Sequence, residues 1–296
     1  MPPILRWTIA LGLVAMAVFW GLTRPEPLPD DALAGLSGDA VAGKDVFLAA
    51  GCESCHISPG QKAEGAPVLA GGMRFPSAFG TFVAPNISPD PFYGVGSWTD
   101  LQLASAIQRG VSPEGSHYYP VFPYDAYNKA EPRDIVNLIA YWRTLPGSET
   151  PSQPHEVGFP FNIRRTLSGW KWLFVNKEWV VAGDLSPEAA RGRYLSEALG
   201  HCGACHTPRN ILGGTDTARW LAGAPNPDGK GRVPNITPAV LKWSEDEIVE
   251  YLTSGFTPEF DTAGGNMVAV VDKLSQLPEG DRAAIAAYLK VVPAVD

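Results

Sequence analysis

The chain has 296 residues, a formal net charge of −8 and a hydrophobic content of 45%. That length suits two domains of roughly 100 residues with additional segments, and the hydrophobic content is sufficient for packed cores, which excludes a wholly disordered chain. The acidic balance argues against nucleic-acid binding, because proteins of that class need a basic face.

The N-terminus carries a long apolar run. No charged residue occurs between Arg6 and Arg24. With two apolar residues before Arg6 the run has about 19 residues, just enough for a helix to cross the hydrocarbon layer at ~1.5 Å per residue. We predict a single transmembrane anchor. A cleaved signal peptide is the alternative, because Ala15, Met16 and Ala17 have the small-x-small form of a cleavage site. Both interpretations place the rest of the chain outside the cytoplasm.

After a proline-rich stalk, "TRPEPLPDD", the sequence repeats itself. Segments of the first half return 145 to 150 residues later, which predicts a tandem duplication of one domain. The matching segments are "GKDVFLAAGCESCH" with "RGRYLSEALGHCGACH", "VAPNISP" with "RVPNITP", and "SWTDLQLASAIQRGVSPEG" with "KWSEDEIVEYLTSGFTPEF". We therefore divide the chain into an anchor and stalk (1–38), a first domain (39–148), an interdomain linker (149–184) and a second domain (185–296).

Each copy has helical signals. Thr99 and Gln102 form a capping box that predicts a helix ending at Gly110, and Ser244 and Glu247 repeat the box in the second copy. The closing helices have apolar stripes at Ile135, Leu138, Ile139 and Trp142 and at Ile285, Tyr288 and Leu289. Long loops rich in Pro and Gly separate these helices. Loops of that length indicate that they enclose a bound cofactor, which would complete the core.

Every cysteine of the chain lies in a Cys-x-x-Cys-His motif. The motifs are Cys52, Cys55 and His56 in the first copy and Cys202, Cys205 and His206 in the second. A thioredoxin-type dithiol needs a βαβ context, which is not visible, and a zinc site needs two cysteine pairs that meet, whereas these pairs lie in separate copies. Covalent haem uses every residue of the motif, two thiols as thioethers and the histidine on iron. The sequence predicts two covalently bound haem c groups, here called haem 1 and haem 2.

Beyond these motifs the chain resembles a known family, the two- and three-haem membrane cytochrome c subunits of periplasmic dehydrogenases for alcohols, aldehydes and sugar acids. The shared segments are "APNISPDPFYGVGSW", "YYPVFPY", "FPFNIRRTLSGWKWLF", "HCGACHTPRNILGG", "VPNITP" and "GFTPEFD". The resemblance implies an all-α fold with two tandem cytochrome c domains. It also implies a proline carbonyl that fixes the first proximal imidazole, and Pro67 is at the matching place.

The sixth iron ligand of haem 2 is predicted to be Met267. Met1 and Met16 lie at the N-terminus and in the anchor, which leaves Met73 and Met267 as candidates. The resemblance places the axial methionine in the loop before the last helix, where Met267 lies. A thioether ligand raises the reduction potential, as an electron carrier that feeds an oxidase requires.

The sixth ligand of haem 1 stays open. The resemblance implies a methionine within "YYPVFPYDAYNKA", where this chain has Phe122 and Ala130 at the two relevant positions. His117 in the same loop is the first candidate and Met73 the second. Lys129 and an open or water-ligated iron are further alternatives, and His117 is also explained as a loop histidine bonded to backbone.

The function that we predict is single-electron transfer. The donor is a periplasmic dehydrogenase and the acceptor an oxidase or soluble cytochrome of the respiratory chain, with the protein anchored in a bacterial inner membrane and its haem domains in the periplasm. No nucleophile–base motif is recognisable, so we expect an electron carrier and no catalytic residues. The alternatives are a dihaem enzyme such as a peroxidase with a reactive haem 1, and a redox or gas sensor.

Overall fold

The computed structural model describes residues 2–61, 65–226 and 231–296. These residues are mostly helical, which confirms the predicted helical character. The helices up to residue 142 are α1 Pro3–Leu22, α2 Ala40–Ala50, α3 Cys52–His56, α4 Asp100–Arg109, α5 Tyr124–Tyr127 and α6 Pro132–Trp142. Those that follow are α7 Leu167–Phe174, α8 Pro187–Tyr194, α9 Gly203–His206, α10 Glu245–Ser254, α11 Met267–Leu274 and α12 Glu279–Val291.

Two short antiparallel hairpins interrupt the helical fold and were not predicted. β1 Arg74–Ser77 pairs with β2 Gly80–Val83, and β3 Ala224–Pro225 pairs with β4 Arg232–Val233. Strands of four and two residues are too short to leave a period-two pattern in the sequence. Each hairpin follows a Cys-x-x-Cys-His motif and returns the chain toward it.

The apolar N-terminal run forms one continuous helix, α1. None of its side chains is buried, and its mean hydropathy of 1.7 over 18 residues makes it long and apolar enough to span a membrane. Its last turn is attached to the segment that contains α7. The Arg165 guanidinium donates to the Trp20 carbonyl oxygen at 2.9 Å and lies 3.7 Å from the Trp20 ring centroid, and the Ser168 hydroxyl donates to the Leu22 carbonyl oxygen at 3.4 Å.

The capping boxes and the apolar stripes are confirmed. The Thr99 hydroxyl accepts from the Gln102 N–H at 3.2 Å, the Gln102 side chain accepts from the Thr99 N–H at 2.9 Å, and Gly110 ends α4 with φ of +58°. Ser244 and Glu247 cap α10 in the same way. All seven residues of the two predicted stripes are buried in α6 and α12. The stripes therefore face the core, as the helical period requires.

Two helix pairs of equivalent sequence cross at glycines. α2 packs on α6 at Gly43, where a Cβ atom would lie 1.9 Å from the Asn137 carbonyl oxygen. α8 packs on α12 at Gly192, where a Cβ atom would lie 1.8 Å from the Ala284 carbonyl oxygen. Both distances are far inside van der Waals contact, so only glycine permits these crossings.

Gly43→Ala is expected to lower the free energy of unfolding by about 1–3 kcal/mol, because α2 has to move away from α6 to admit the methyl group. The measurement is guanidinium unfolding of the full chain in detergent, followed by far-UV circular dichroism. Gly280→Ala in α12 is the matched control, since no heavy atom lies within 4 Å of its Cβ position. Equal decreases in the free energy of unfolding in both variants would contradict the close packing of α2 on α6 at Gly43.

Candidate functional site

The first motif occupies one turn of helix. α2 ends at Gly51, whose φ of +64° lets the chain turn directly into α3. The five residues of α3 include Cys52, Cys55 and His56. Because residues three apart lie on the same face of a helix, both thiols point to one side of this turn. That is the arrangement that two thioether bonds to one porphyrin need.

The backbone that leads into the second motif differs from that before the first motif. α8 continues into a π-helical turn, Leu195–Leu199, and His201 adopts a φ of +42° before α9 begins. Cys202 is the N-cap of α9, and Cys205 and His206 lie within it. π-Helical turns are rare and concentrate at functional sites. Although the backbone before the two motifs differs, the spacing of the thiols and the imidazole along a helical turn is the same in both copies.

Both motif histidines are oriented by a proline carbonyl. His56 Nδ1 lies 2.9 Å from the Pro85 carbonyl oxygen, and His206 Nδ1 lies 2.9 Å from that of Pro234. Burial lowers the pKa of both imidazoles, which keeps them neutral. With Nδ1–H donating to a carbonyl, Nε2 carries the lone pair that an iron ligand needs.

The expectation that Pro67 supplies this carbonyl is wrong, because Pro85 supplies it. The chain between Gly71 and Pro85 folds back as the β1–β2 hairpin, and this fold brings the later proline under the ring. The Gly71 N–H donates to the His56 carbonyl oxygen at 2.7 Å, and Gly223 makes the same bond to His206 at 2.7 Å. The repeated Pro-Asn in "VAPNISP" and "RVPNITP" was the sequence signal for both prolines.

No disulfide joins the four cysteines, all of which lie in the described part of the chain. Burial raises the pKa of Cys52 to about 12 and that of Cys55 and Cys202 to about 11. A redox-active dithiol needs the opposite, a lowered thiol pKa, so these side chains do not suit disulfide exchange. In the described part of the chain no group of three or more His, Cys, Asp or Glu side chains converges on a metal position. The thiols on one face of a helical turn and the oriented imidazole fit the thioether and imidazole chemistry of haem c.

The two motifs lie next to each other. The Tyr127 hydroxyl donates to the carbonyl oxygen of Ala50, just before the first motif, at 2.7 Å. The same Tyr127 ring lies 5.5 Å from the ring of His201, just before the second motif. A Cys205 thiolate contributes to the raised pKa of Cys55, so the two thiols lie within electrostatic range of each other. Two prosthetic groups attached here would be neighbours.

An ion pair joins the first motif to the element that carries the predicted ligand of haem 2. The Lys273 ammonium of α11 lies 2.9 Å from the carboxylate of Glu53, the residue after Cys52, and both side chains are close to 90% buried. Lys273 also lies 2.9 Å from the exposed Asp272 carboxylate. Met267 is the first residue of α11 and is half-buried. The pair thus fixes the helix of Met267 against the first repeat.

The two candidates for the sixth ligand of haem 1 lie in different places. His117 is buried, and its Nε2 is 3.2 Å from the Thr23 carbonyl oxygen at the base of α1. Met73 lies in the segment that holds the first proximal histidine, because its carbonyl oxygen accepts from the Ala84 N–H at 2.8 Å, one residue before Pro85.

Comparison with known proteins gives relatives of two kinds. A protein named diheme cytochrome c-type, from Cereibacter sphaeroides, is 56% identical over 288 residues, which are 97% of each chain. The fructose dehydrogenase cytochrome subunit of Gluconobacter japonicus is 37% identical over 85% of this chain and 52% of its own length. The quinone alcohol dehydrogenase cytochrome c subunit of Gluconacetobacter polyoxogenes is 32% identical over 82% of this chain. No family model matches the chain.

The chain spans about half the length of the dehydrogenase subunits, 52% and 54% of the two relatives just named. It spans nearly the whole of the Cereibacter relative. The expected similarity to cytochrome c subunits of dehydrogenases is therefore confirmed. These subunits also contain sequence that has no counterpart in this chain.

Glu53→Gln is expected to lower the free energy of unfolding by about 2 kcal/mol, because it leaves the buried Lys273 ammonium without its buried partner. The measurement is guanidinium unfolding at pH 7. Asp272→Asn removes the exposed partner of the same lysine and is expected to cost less than about 1 kcal/mol. A larger loss for Asp272→Asn than for Glu53→Gln would contradict the role of the buried pair.

Proposed function

The chain belongs to the dihaem c-type cytochromes related to the cytochrome c subunits of alcohol and fructose dehydrogenases, and from this premise we propose that it relays single electrons at a membrane surface. Its two covalently bound haem c groups, predicted from the motifs, are supported by the relative that covers 97% of both chains. Each haem, when bound, supplies a reversible one-electron centre.

We assign the attachment residues from the motif geometry. Cys52 and Cys55 hold haem 1, and Cys202 and Cys205 hold haem 2. The support for the proximal ligands, His56 and His206, is the pair of proline contacts described above, which leave Nε2 free in both rings. Met267 is proposed as the distal ligand of haem 2, supported by its place as the first residue of α11.

Residues 39–148 and 185–296 are proposed as two tandem cytochrome c domains. The support is the set of paired features in the two halves. α2 crosses α6 at Gly43 as α8 crosses α12 at Gly192, and the proximal contacts of the two motifs match to 0.1 Å. Residues 149–184 form the proposed linker, with α7 at the base of α1.

The observation that carries the proposed function is the proximity of the two motifs. Tyr127 contacts the residues just before both motifs, and Cys55 and Cys205 lie within electrostatic range of each other. Haems attached at these positions would exchange electrons directly, without a third cofactor between them. We propose a dehydrogenase as the donor and an oxidase or soluble cytochrome as the acceptor, with α1 in a bacterial inner membrane and the haem domains in the periplasm.

The experiment that tests this function is stopped-flow oxidation of the fully reduced, detergent-solubilised protein by a soluble high-potential cytochrome c. We expect both haems to be oxidised, because the adjacent sites place them in electronic contact. Loss of absorbance from one haem alone, with the second left reduced, would contradict the relay.

The attachment residues are tested by a double variant, Cys202→Ala with Cys205→Ala. We expect it to retain one covalent haem per chain in place of two, measured by the haem absorbance of the denatured protein. Cys52→Ala with Cys55→Ala is the matched variant and should lose the other haem. Two covalent haems in either variant would refute the assignment.

Met267→Ala is expected to lower the reduction potential of haem 2 by on the order of 100 mV, because a thioether ligand favours the reduced iron. A redox titration followed in the visible spectrum measures both potentials. Met73→Ala is the control and should leave the potential of haem 2 unchanged. An unchanged potential in Met267→Ala would remove Met267 from the ligand set.

A further inference from the structure

The loop after α4 and the loop after α10 have the same backbone hydrogen bonds, 145 residues apart. The Tyr118 N–H donates to the Gly110 carbonyl oxygen at 2.8 Å, and the Ala263 N–H donates to that of Gly255 at 2.7 Å. The bridge between Val111 and His117 likewise matches a bridge between Phe256 and Thr262. The backbone positions of the two loops therefore correspond residue by residue, and we call this correspondence the register of the two loops.

This register continues to Met267. The Met267 N–H donates to the Gly264 carbonyl oxygen at 3.2 Å, and the Phe122 N–H donates to that of Tyr119 at 3.1 Å. Both pairs keep the separation of 145 residues. Phe122 therefore occupies in the first repeat the backbone position that Met267 occupies in the second, and a phenyl ring offers no lone pair to iron.

The Phe122 ring belongs to an aromatic group beside the first motif. Its centroid lies 5.9 Å from that of Tyr127, 6.1 Å from that of Tyr118 and 6.4 Å from that of Tyr124. The Tyr127 hydroxyl is engaged with Ala50. Burial raises the pKa of the tyrosines, so they stay neutral phenols, which are poor iron ligands compared with phenolate.

The other candidate ligands are held elsewhere. His117 corresponds to Thr262 in the register, five residues before the position of Phe122, and its Nε2 faces the Thr23 carbonyl oxygen. Met73 is joined through Ala84 to the segment that orients His56, which is the proximal side. The Lys129 ammonium donates to the Asp125 carbonyl oxygen at 3.0 Å.

We propose that the iron of haem 1 has no protein ligand opposite His56, and that this position, covered by Phe122, binds a small neutral ligand of the CO or NO class. The inference rests on the proposed haem attachment at Cys52 and Cys55. An aromatic lining favours neutral diatomic molecules over anions, because a buried anion there would lose its hydration without gaining a charged partner. Binding adds one iron–ligand bond and transfers no electrons between the ligand and the protein.

The test is a titration of the dithionite-reduced, full-length protein in detergent with CO, after two covalent haems per chain have been verified. We expect about one CO per chain, since haem 2 has Met267 and haem 1 is open. Met267→Ala should raise the stoichiometry to about two. Two attached haems with no CO bound would overturn the inference and leave the proposed electron transfer standing, whereas fewer than two covalent haems would overturn the proposed function itself.

Substitutions at Phe122 test whether haem 1 binds CO because this one position lacks a donor atom, or because the haem is weakly held in general. Phe122→Met supplies a sulfur at the position of Met267, and we expect its CO binding to fall at least tenfold in affinity at haem 1, with a change of the ferric spectrum from high to low spin. Phe122→Leu, which has no donor atom, is the matched control and should still bind CO. Equal CO affinity and equal ferric spectra in the two variants would contradict the placement of Phe122.

His117→Ala tests the competing ligand. We expect its CO stoichiometry and ferric spectrum to equal those of the unsubstituted protein, because His117 Nε2 is engaged by the Thr23 carbonyl oxygen and His117 lies five residues before the position that corresponds to Met267. A protein that binds CO only after His117→Ala or Met73→Ala would identify that residue as the sixth ligand and overturn the open site.

Discussion

In each repeat a single hydrogen bond, from a histidine Nδ1 to a proline carbonyl oxygen 2.9 Å away, determines what the neighbouring cysteines can do. The bond fixes the tautomer, so that Nε2 is the free nitrogen, and it fixes the plane of the ring. Without it, Cys52 and Cys55 would be two half-buried thiols on a helical turn. With it, the turn presents two sulfur atoms and one iron ligand in a defined relation, and the hairpin that carries Pro85 becomes part of the site.

The contacts between the repeats make the two sites a unit. The Glu53–Lys273 pair ties the first motif to α11. The Tyr194 hydroxyl, at the end of α8, donates to the Asp134 carboxylate of α6 at 2.5 Å. Both contacts join residues of the two halves through buried or half-buried polar groups, so loss of one partner would leave the other without compensation. The fold therefore keeps the motifs adjacent, and electron exchange between haems depends on that distance.

The base of α1 is coupled to the first repeat through the linker. Arg165 holds the last turn of α1 by a hydrogen bond and by its position over Trp20, and Arg164 donates to the His117 carbonyl oxygen at 3.4 Å. Both arginines donate to backbone carbonyl oxygens. The segment between the two repeats therefore also contacts the C-terminal end of α1.

The sequence alone determined the local features of this protein. The capping boxes, the apolar stripes of α6 and α12, the apolar α1 and the Cys-x-x-Cys-His chemistry all depend on residues within a few positions of each other, and spacing is enough to recognise them. The prediction of Pro67 missed the repeated Pro-Asn signal at Pro85, because the contact with His56 forms only when the β1–β2 hairpin folds the chain back. Tertiary structure also decided that Glu53 meets Lys273 and that His117 meets Thr23, and it selected Phe122 over Ala130 as the counterpart of Met267. Those relations join residues from 94 to 220 positions apart, or compare two loops in space, and a one-dimensional pattern does not record them.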